Sequence, residues 1–169
     1  TILLGMILRK VTGQTVSEYA SEKLWKPMGA EHPALWSLDH KDGMERVFCC
    51  FNATARDFAR IGQLLLNKGE WSGQQLVAES YIKKATAAAD LKELDGSANQ
   101  RYGYQWWVLQ MDKYEGYYAR GIQGQYIVVL PQEEMVVVRL GDSRPAERVQ
   151  GHVVDMLYYI DIARRLCQP

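Results

Sequence analysis

The chain has 169 residues, with 20 basic against 20 acidic side chains, 47% apolar and 11% aromatic. That balance excludes a strongly basic nucleic-acid binder and an acidic solvating tail, and the apolar and aromatic content excludes a disordered polymer. No apolar run approaches the roughly 18 residues that span a bilayer, and a globular chain of this length buries about 70% of its unfolded surface, enough for one core.

Thr1 opens directly onto Ile2-Leu3-Leu4, and with Met6-Ile7-Leu8 and Val11 these form the stripe of a helix that Gly13 closes. A free amine and orphan N–H groups at the head of a buried helix need partners, so the chain reads as a C-terminal fragment of a longer protein, with a processed chain as the alternative. Thr15 and Glu18 have the spacing of a capping box, which predicts a second helix through Tyr19 and Leu24 to about Trp25, stopped by Lys26-Pro27. Residues 28–44 read as a connection holding Pro33, Trp36 and the turn pair Asp42-Gly43. Thr54 and Asp57 form another N-terminal box ahead of Phe58, Ile61, Leu65 and Leu66, which share one helical face. Gly69 ends that helix, and Trp71-Ser72-Gly73 is a turn. A further helix is predicted from Leu76 to about Ala88, followed by a polar connection from Asp90 to Arg101.

After Gly103 the texture changes to strand. Tyr104 to Met111, Tyr117-Tyr118, Tyr126 to Leu130 and Met135 to Leu140 are the candidates, the last two joined by Pro131-Gln132-Glu133-Glu134 as a hairpin. Glu147 to Leu166 reads as a closing helix with Val153, Met156, Leu157, Ile160 and Ala163 on one side. Helices, then antiparallel strands, then a packing helix describe the α+β class, an antiparallel sheet flanked by helices.

The chemistry-bearing residues are sparse. The three cysteines, Cys49, Cys50 and Cys167, are an odd set with two adjacent members, which is not a disulfide framework. His32, His40 and His152 are scattered and no Cys-x-x-Cys occurs, so no metal site is expected. Ser80-Tyr81-Ile82-Lys83 places a serine and a lysine one helical turn apart. Asp57 reads as a helix cap rather than an acid or base, and Tyr19-Ala20-Ser21 falls within an amphipathic helix.

Four segments, in their order and spacing, resemble the C-terminal portion of the serine β-lactamase and penicillin-binding-protein family. The branch they are most similar to is that of class C β-lactamase-related esterases, peptidases and nylon-oligomer hydrolases. Leu4-Gly5-Met6-Ile7-Leu8-Arg9-Lys10-Val11-Thr12-Gly13 resembles the helix after the family's catalytic tyrosine. Leu24-Trp25-Lys26-Pro27-Met28-Gly29 is similar to its Pro-Leu-Gly-Met turn, and Asn52 to Gly62 to its Thr-Ala-x-Asp-Leu-Ala-Arg-Phe-Gly helix. Gly121-Ile122-Gln123-Gly124-Gln125-Tyr126, through Pro131, is similar to its active-site strand and the hairpin that follows.

The resemblance implies a β-lactamase/transpeptidase-like fold and a serine hydrolase that forms an acyl-enzyme, with no cofactor. Members attack an acyl group with the serine of a Ser-x-x-Lys motif, the lysine and a tyrosine manage protons, and two backbone N–H groups hold the oxyanion. In the family order that serine, lysine and tyrosine fall before Thr1, so this chain, on that reading, needs the N-terminal part of the same protein to complete the fold and is inactive alone. Ser80 stands where the family has a surface helix. The Lys-Thr-Gly equivalent is Ala119-Arg120-Gly121, which makes Ile122 the candidate oxyanion donor and Gly121 the residue that permits close approach. Ala119 supplies no cation or hydroxyl, so an amide, ester or peptide is expected as the small acyl substrate rather than a β-lactam, with Arg120 as a substitute contact if the register shifts. The plain alternative is that residues 121–125 are only a glycine-containing strand.

Other substrate-facing candidates are Gln123 and Gln125, whose amides suit either a substrate contact or a strand surface. Trp106 and Trp107, on a strand, point to opposite faces, one to the core and one to a pocket. In the family the segment of Cys50 borders the site, where small thiols preserve space; ordinary buried cysteines are the other reading. A non-catalytic ligand-binding module of the same fold is the alternative function. Members are often exported in bacteria, to the periplasm or beyond, but nothing in these residues assigns a compartment.

Overall fold

In the computed structural model, which describes residues 1–167, helix α1 (Ile2–Thr12) ends at Gly13, whose φ of 71° lets its N–H reach back to the Arg9 carbonyl. The chain divides into two compact units, residues 1–60 and residues 61 onward.

In the first unit Gly5 is the buried residue of α1, and a Cβ there would lie 2.8 Å from Val47 Cγ2. The opposite side of α1 exposes Ile2, Leu3, Leu4, Met6, Ile7 and Val11. Thr15 and Glu18 make the expected reciprocal box: the Thr15 hydroxyl accepts the Glu18 N–H at 3.1 Å, and the Glu18 carboxylate accepts the Thr15 N–H at 2.8 Å. They start α2 (Val16–Ala20), which widens into a π-turn over Ser21–Trp25 before Lys26-Pro27. The connection that follows contains a short ladder the sequence does not announce: β1 (Leu35–Trp36) pairs antiparallel with β2 (Phe51–Asn52). Phe51 meets Trp25, Trp36 and Phe58 edge-on, with ring centres 5.0–5.9 Å apart.

Helix α3 (Ala55–Leu66) begins with the second box. Asp57 is fully buried, and it accepts the Glu31 N–H at 2.8 Å, the His32 N–H at 3.3 Å, the Thr54 hydroxyl at 2.8 Å and Arg60 Nη1 at 3.2 Å. Burial alone would push its carboxyl up; the Glu31 and His32 amides, Thr54 and Arg60 outweigh it and hold it below the usual carboxylate range. The helix-cap reading of Asp57 therefore extends to a tertiary role, tying residues 31–32 to α3.

The second unit is built on a four-stranded antiparallel sheet ordered β5-β6-β7-β8: β5 (Trp107–Met111), β6 (Tyr114–Arg120), β7 (Tyr126–Leu130) and β8 (Met135–Arg139). One face, carrying Leu109, Tyr118, Val128 and Leu130, buries Met156, Leu157 and Ile160 of α5 (Val154–Cys167). The other face carries Tyr117 and Val129 against Leu65 and Ile82. Neighbours in sequence thus serve opposite layers, as a two-residue period requires. Gly62 lets α3 approach this face, since a Cβ there would overlap Val136. The architecture is the expected α+β arrangement, with an antiparallel sheet between helices.

Three predicted boundaries move. The helix expected from Leu76 starts at Glu79 and ends at Ala85 (α4), because Leu76 and Val77 N–H groups are drawn to the Gly69 carbonyl by the β3 (Glu70–Trp71) and β4 (Gln74–Gln75) hairpin. At its other end the Tyr104 N–H takes the Ala85 carbonyl at 2.9 Å. The first strand starts at Trp107 rather than Tyr104, since Gln105 adopts φ 67°. The closing helix starts at Val154 and not Glu147. Gln150 and Gly151 take φ of 51° and 86° and turn β9 (Arg148–Val149) onto β10 (His152–Val153), so that the Val154 N–H donates to the Glu147 carbonyl at 3.2 Å. Among the described residues no helix is long and apolar enough to cross a membrane, and no group of acidic, histidine and cysteine side chains is arranged to hold a metal ion.

Candidate active site

Strand β6 delivers Arg120 and Gly121 to a tight turn. Gly121 is extended (φ −99°, ψ 173°) and is followed by a single 3-10 turn, Ile122–Gly124, after which Gln125 leads into β7. The Gly121 N–H closes the turn on the Gln125 carbonyl at 2.8 Å. Ile122 is 77% exposed. Its N–H occupies the first helical position, where no intrahelical acceptor exists. Gln123 has φ 60° and Gly124 φ 82°, and a Cβ on Gly124 would overlap the Arg139 guanidinium.

Two side chains clamp this turn. Arg139 Nη1 donates to the Gly124 carbonyl at 2.8 Å and to the Gln123 carbonyl at 3.4 Å, while Nη2 donates to the Ser143 carbonyl at 3.1 Å. Asp155 Oδ2, 3.8 Å from Arg139, also accepts the Tyr126 hydroxyl, linking the clamp to α5. Gln125 supplies the second clamp: its Nε2 donates to the Gly141 carbonyl and its Oε1 accepts the Gly141 N–H at 3.1 Å. Both ends of the Gln125 amide thus bond to the Gly141 backbone. Gln123 is exposed at the tip of the turn.

Arg120 lies with its guanidinium carbon 3.8 Å over the Trp107 ring. Its Nη1 is buried without a hydrogen-bond partner among the described residues, and burial, together with the like charges of Arg148 and Arg144, pushes its pKa down while Tyr118 opposes them. Trp107 also stacks on Tyr118 and meets Tyr102 edge-on at 5.0 Å. With Leu91, Asn99 and Arg101 among its neighbours, it lines a cavity of about 280 Å³. Trp106 lies just before β5 instead of on it, a consequence of the Gln105 turn, and packs on the other face against Tyr117 at 6.0 Å.

Cys50 departs furthest from expectation. It is exposed, not buried, and it is bonded to Cys49, so it offers no free thiol as a small spacer. Cys167 is the free, exposed cysteine. Ser80 and Lys83 both sit exposed on the short helix α4. Tyr19 and Ser21 fall on the α2 helix and its π-turn, as read from the sequence.

Sequence reasoning missed Arg139 and the buried His152, which lies 2.9 Å from the Tyr118 hydroxyl. Arg139 is the polar end of an otherwise β-branched strand, and that break in Met135–Leu140 was the signal available for it. His152 gave none, since its burial depends on the β9–β10 hairpin.

The second unit is thus a four-stranded antiparallel sheet packed on α5, with a glycine-flanked turn at the end of an inner strand. The Beta-lactamase family model matches residues 1–155, and the chain belongs to that family. It is 24% identical, over 98% of its length, to the 6-aminohexanoate-dimer hydrolase of Paenarthrobacter ureafaciens. Among solved structures it is similar to a proposed 6-aminohexanoate-dimer hydrolase from Bacillus anthracis, with a TM-score of 0.79 and 32% identity over 96% of this chain. A penicillin-binding-protein homologue from Caulobacter crescentus (TM-score 0.61, 17% identity, 82% of this chain) shares the fold. So does a proposed β-lactamase from Bacteroides dorei (0.65, 14%, 94%). The chain spans 43% of the length of the curated relative and 42–54% of the three solved chains.

Proposed function

We propose that this chain supplies the C-terminal part of a serine hydrolase that cleaves an amide or ester through an acyl-enzyme. The Ile122 N–H serves as one oxyanion donor, and Gly121 lets the acyl carbonyl come close. The observation that carries this reading is the clamped turn: an extended Gly121 and Ile122 at the first position of a 3-10 turn, held by Arg139 and Gln125. Donors fixed before reaction stabilise developing negative charge without reorganisation, and one such donor is worth about a hundred- to thousandfold in turnover. Membership in the Beta-lactamase family and the hydrolase relatives support the same reading.

The nucleophilic serine, its lysine and the tyrosine are assigned to a portion of the protein preceding Thr1. The exposed α1 face is the surface that portion covers. By likeness to the 6-aminohexanoate-dimer hydrolases, the substrate is an amide-linked dimer of an ω-amino acid, with Arg120, Trp107 and Gln123 nearest to it. Nucleic acid has no place in this chemistry.

Treating the full-length protein with a fluorophosphonate and locating the adduct by mass spectrometry tests the assignment. The expected result is a label on a Ser-x-x-Lys serine outside residues 1–169. A label on Ser80, or none under conditions in which the protein turns over a p-nitrophenyl ester, overturns it. The absence of both label and turnover identifies a non-catalytic ligand-binding module instead.

A further inference from the structure

The adjacent cysteines Cys49 and Cys50 are joined by a disulfide, directly before β2. A cross-link stabilises a fold chiefly by closing a loop, and its effect grows with loop length. With a sequence separation of one, this bond closes almost none of the unfolded chain. Its effect is local. Cys50 adopts φ 67°, a left-handed conformation that residues other than glycine hold only when surroundings enforce it.

The carbonyls of the pair organise the segment around them. The Cys50 carbonyl accepts the Ser37 N–H and Asn52 Nδ2, each at 3.1 Å. The Cys49 carbonyl accepts the Trp36 indole N–H at 3.0 Å, and the Cys49 N–H donates to the Arg46 carbonyl at 2.8 Å. The ladder these bonds support is only two residues long on each side, Leu35↔Asn52 and Trp36↔Phe51, so it has little pairing energy of its own. Cys50 is exposed and Cys49 half-buried, so Cys50 is the more accessible of the two residues to an incoming thiolate.

We propose that Cys49–Cys50 is a reversible redox site that switches the conformation of residues 46–52. The reaction is a two-electron exchange with a dithiol. A thiolate of the dithiol attacks Sγ of Cys50, forming a mixed disulfide, and Cys49 leaves as a thiolate that takes a proton from water. The second thiol of the reagent then attacks the reagent's own sulfur in the mixed disulfide, releasing Cys50 as the other thiol. The dithiol is oxidised to its cyclic disulfide and the cysteine pair is reduced to two thiols. Opening the bond frees Cys50 to leave the left-handed region, which removes the geometry that places its carbonyl on Ser37 and the Cys49 carbonyl on Trp36. The oxidised form holds Phe51 among Trp25, Trp36 and Phe58; the reduced form loosens that group. This inference stands apart from the hydrolase assignment and uses none of the Gly121–Gln125 turn.

Thiol counting combined with amide hydrogen exchange on the full chain tests it. Alkylation under native conditions should label one cysteine, Cys167, in protein kept oxidised, and all three after dithiothreitol. Removing the reductant and adding oxidised dithiothreitol should return the count to one. Exchange at the Ser37 amide should rise severalfold on reduction, while the Val128 amide in the sheet stays unchanged. The C49S/C50S double variant should exchange at Ser37 as the reduced protein does, in either redox state. Three labelled thiols in the oxidised protein, a bond that dithiothreitol opens only after unfolding, or reduction without change at Ser37 would each overturn the proposal. Because the wild-type chain reports all three, a variant that failed to fold would not shelter it.

Discussion

The Tyr118 hydroxyl lies 2.9 Å from Nδ1 of His152, with both residues buried. Burial pushes the Tyr118 phenol up to about 12, against the opposing pull of nearby arginines, so it keeps its proton and donates. Nδ1 of His152 is therefore the acceptor, and the proton of the neutral ring sits on Nε2. Burial, and then the positive charges of Arg101 and Arg120, lower the pKa of His152 below its ordinary 6.5.

That depression fixes the sign of a pH effect. The unfolded chain takes up a proton near pH 6.5 that the folded His152 refuses, so stability is full above that value and declines as pH falls through it. Urea unfolding at several pH values between 5 and 8 should show this loss in the wild type and a smaller one in H152Q. Y118F, which leaves the imidazole acceptor buried and unpaired, should cost about 1–3 kcal/mol.

The Thr54–Asp57 box makes a second prediction. D57A removes a buried acceptor that serves four donors and should destabilise the protein by about 2–3 kcal/mol, while T54A, which loses only the cap, should cost about 1 kcal/mol. Because the Asp57 carboxyl is held below its usual range, its contribution is present above about pH 3.9 and disappears as pH drops further. Denaturant titrations at neutral and acidic pH separate the two variants: the D57A penalty should shrink in acid, and the T54A penalty should shrink less.

Helix starts were legible because they are local. Thr15 and Glu18, three residues apart, satisfy each other's backbone, and Thr54, three residues before Asp57, accepts the Asp57 N–H and donates its hydroxyl to the Asp57 carboxylate, so both starts can be recognised without a distant partner. Strand β6 was half read, at Tyr117-Tyr118, because Glu115 and Gly116 interrupt its alternation; Gly116 is there for a close approach, where a Cβ would overlap the Val129 carbonyl. The β9–β10 hairpin is hidden in a helix-like sequence because the left-handed Gln150 carries no turn signature of its own. At the site, Gly121 and Ile122 were found through family order. The Gln125 clamp on Gly141, the Arg139 clamp on Gly124 and the Cys49–Cys50 bond were not. The first two depend on partners 15–16 residues away, and adjacent cysteines are an unusual pair to join.

The clamp itself is testable through Gly124. G124A forces a Cβ into the Arg139 guanidinium and a left-handed φ of 82° onto a residue that disfavours it. The left-handed φ alone should cost about 1–2 kcal/mol and the collision should add to it; in the R139A background G124A should cost measurably less in thermal or chemical denaturation, with only the φ penalty left. Additive penalties would mean that Arg139 does not hold the turn through Gly124.

The oxyanion role of Ile122 is the centre of the functional account, and the kcat of I122P measures it most directly. Proline fits the first position of a helical turn, and the extended Gly121 before it is the conformation a pre-proline residue adopts, so the substitution removes the N–H and little else. With amide or ester substrate and the full-length hydrolase, kcat should fall about a hundred- to thousandfold in I122P and stay near wild type in I122A, which keeps the N–H. An I122P protein that is folded and turns over at the wild-type rate would contradict the account.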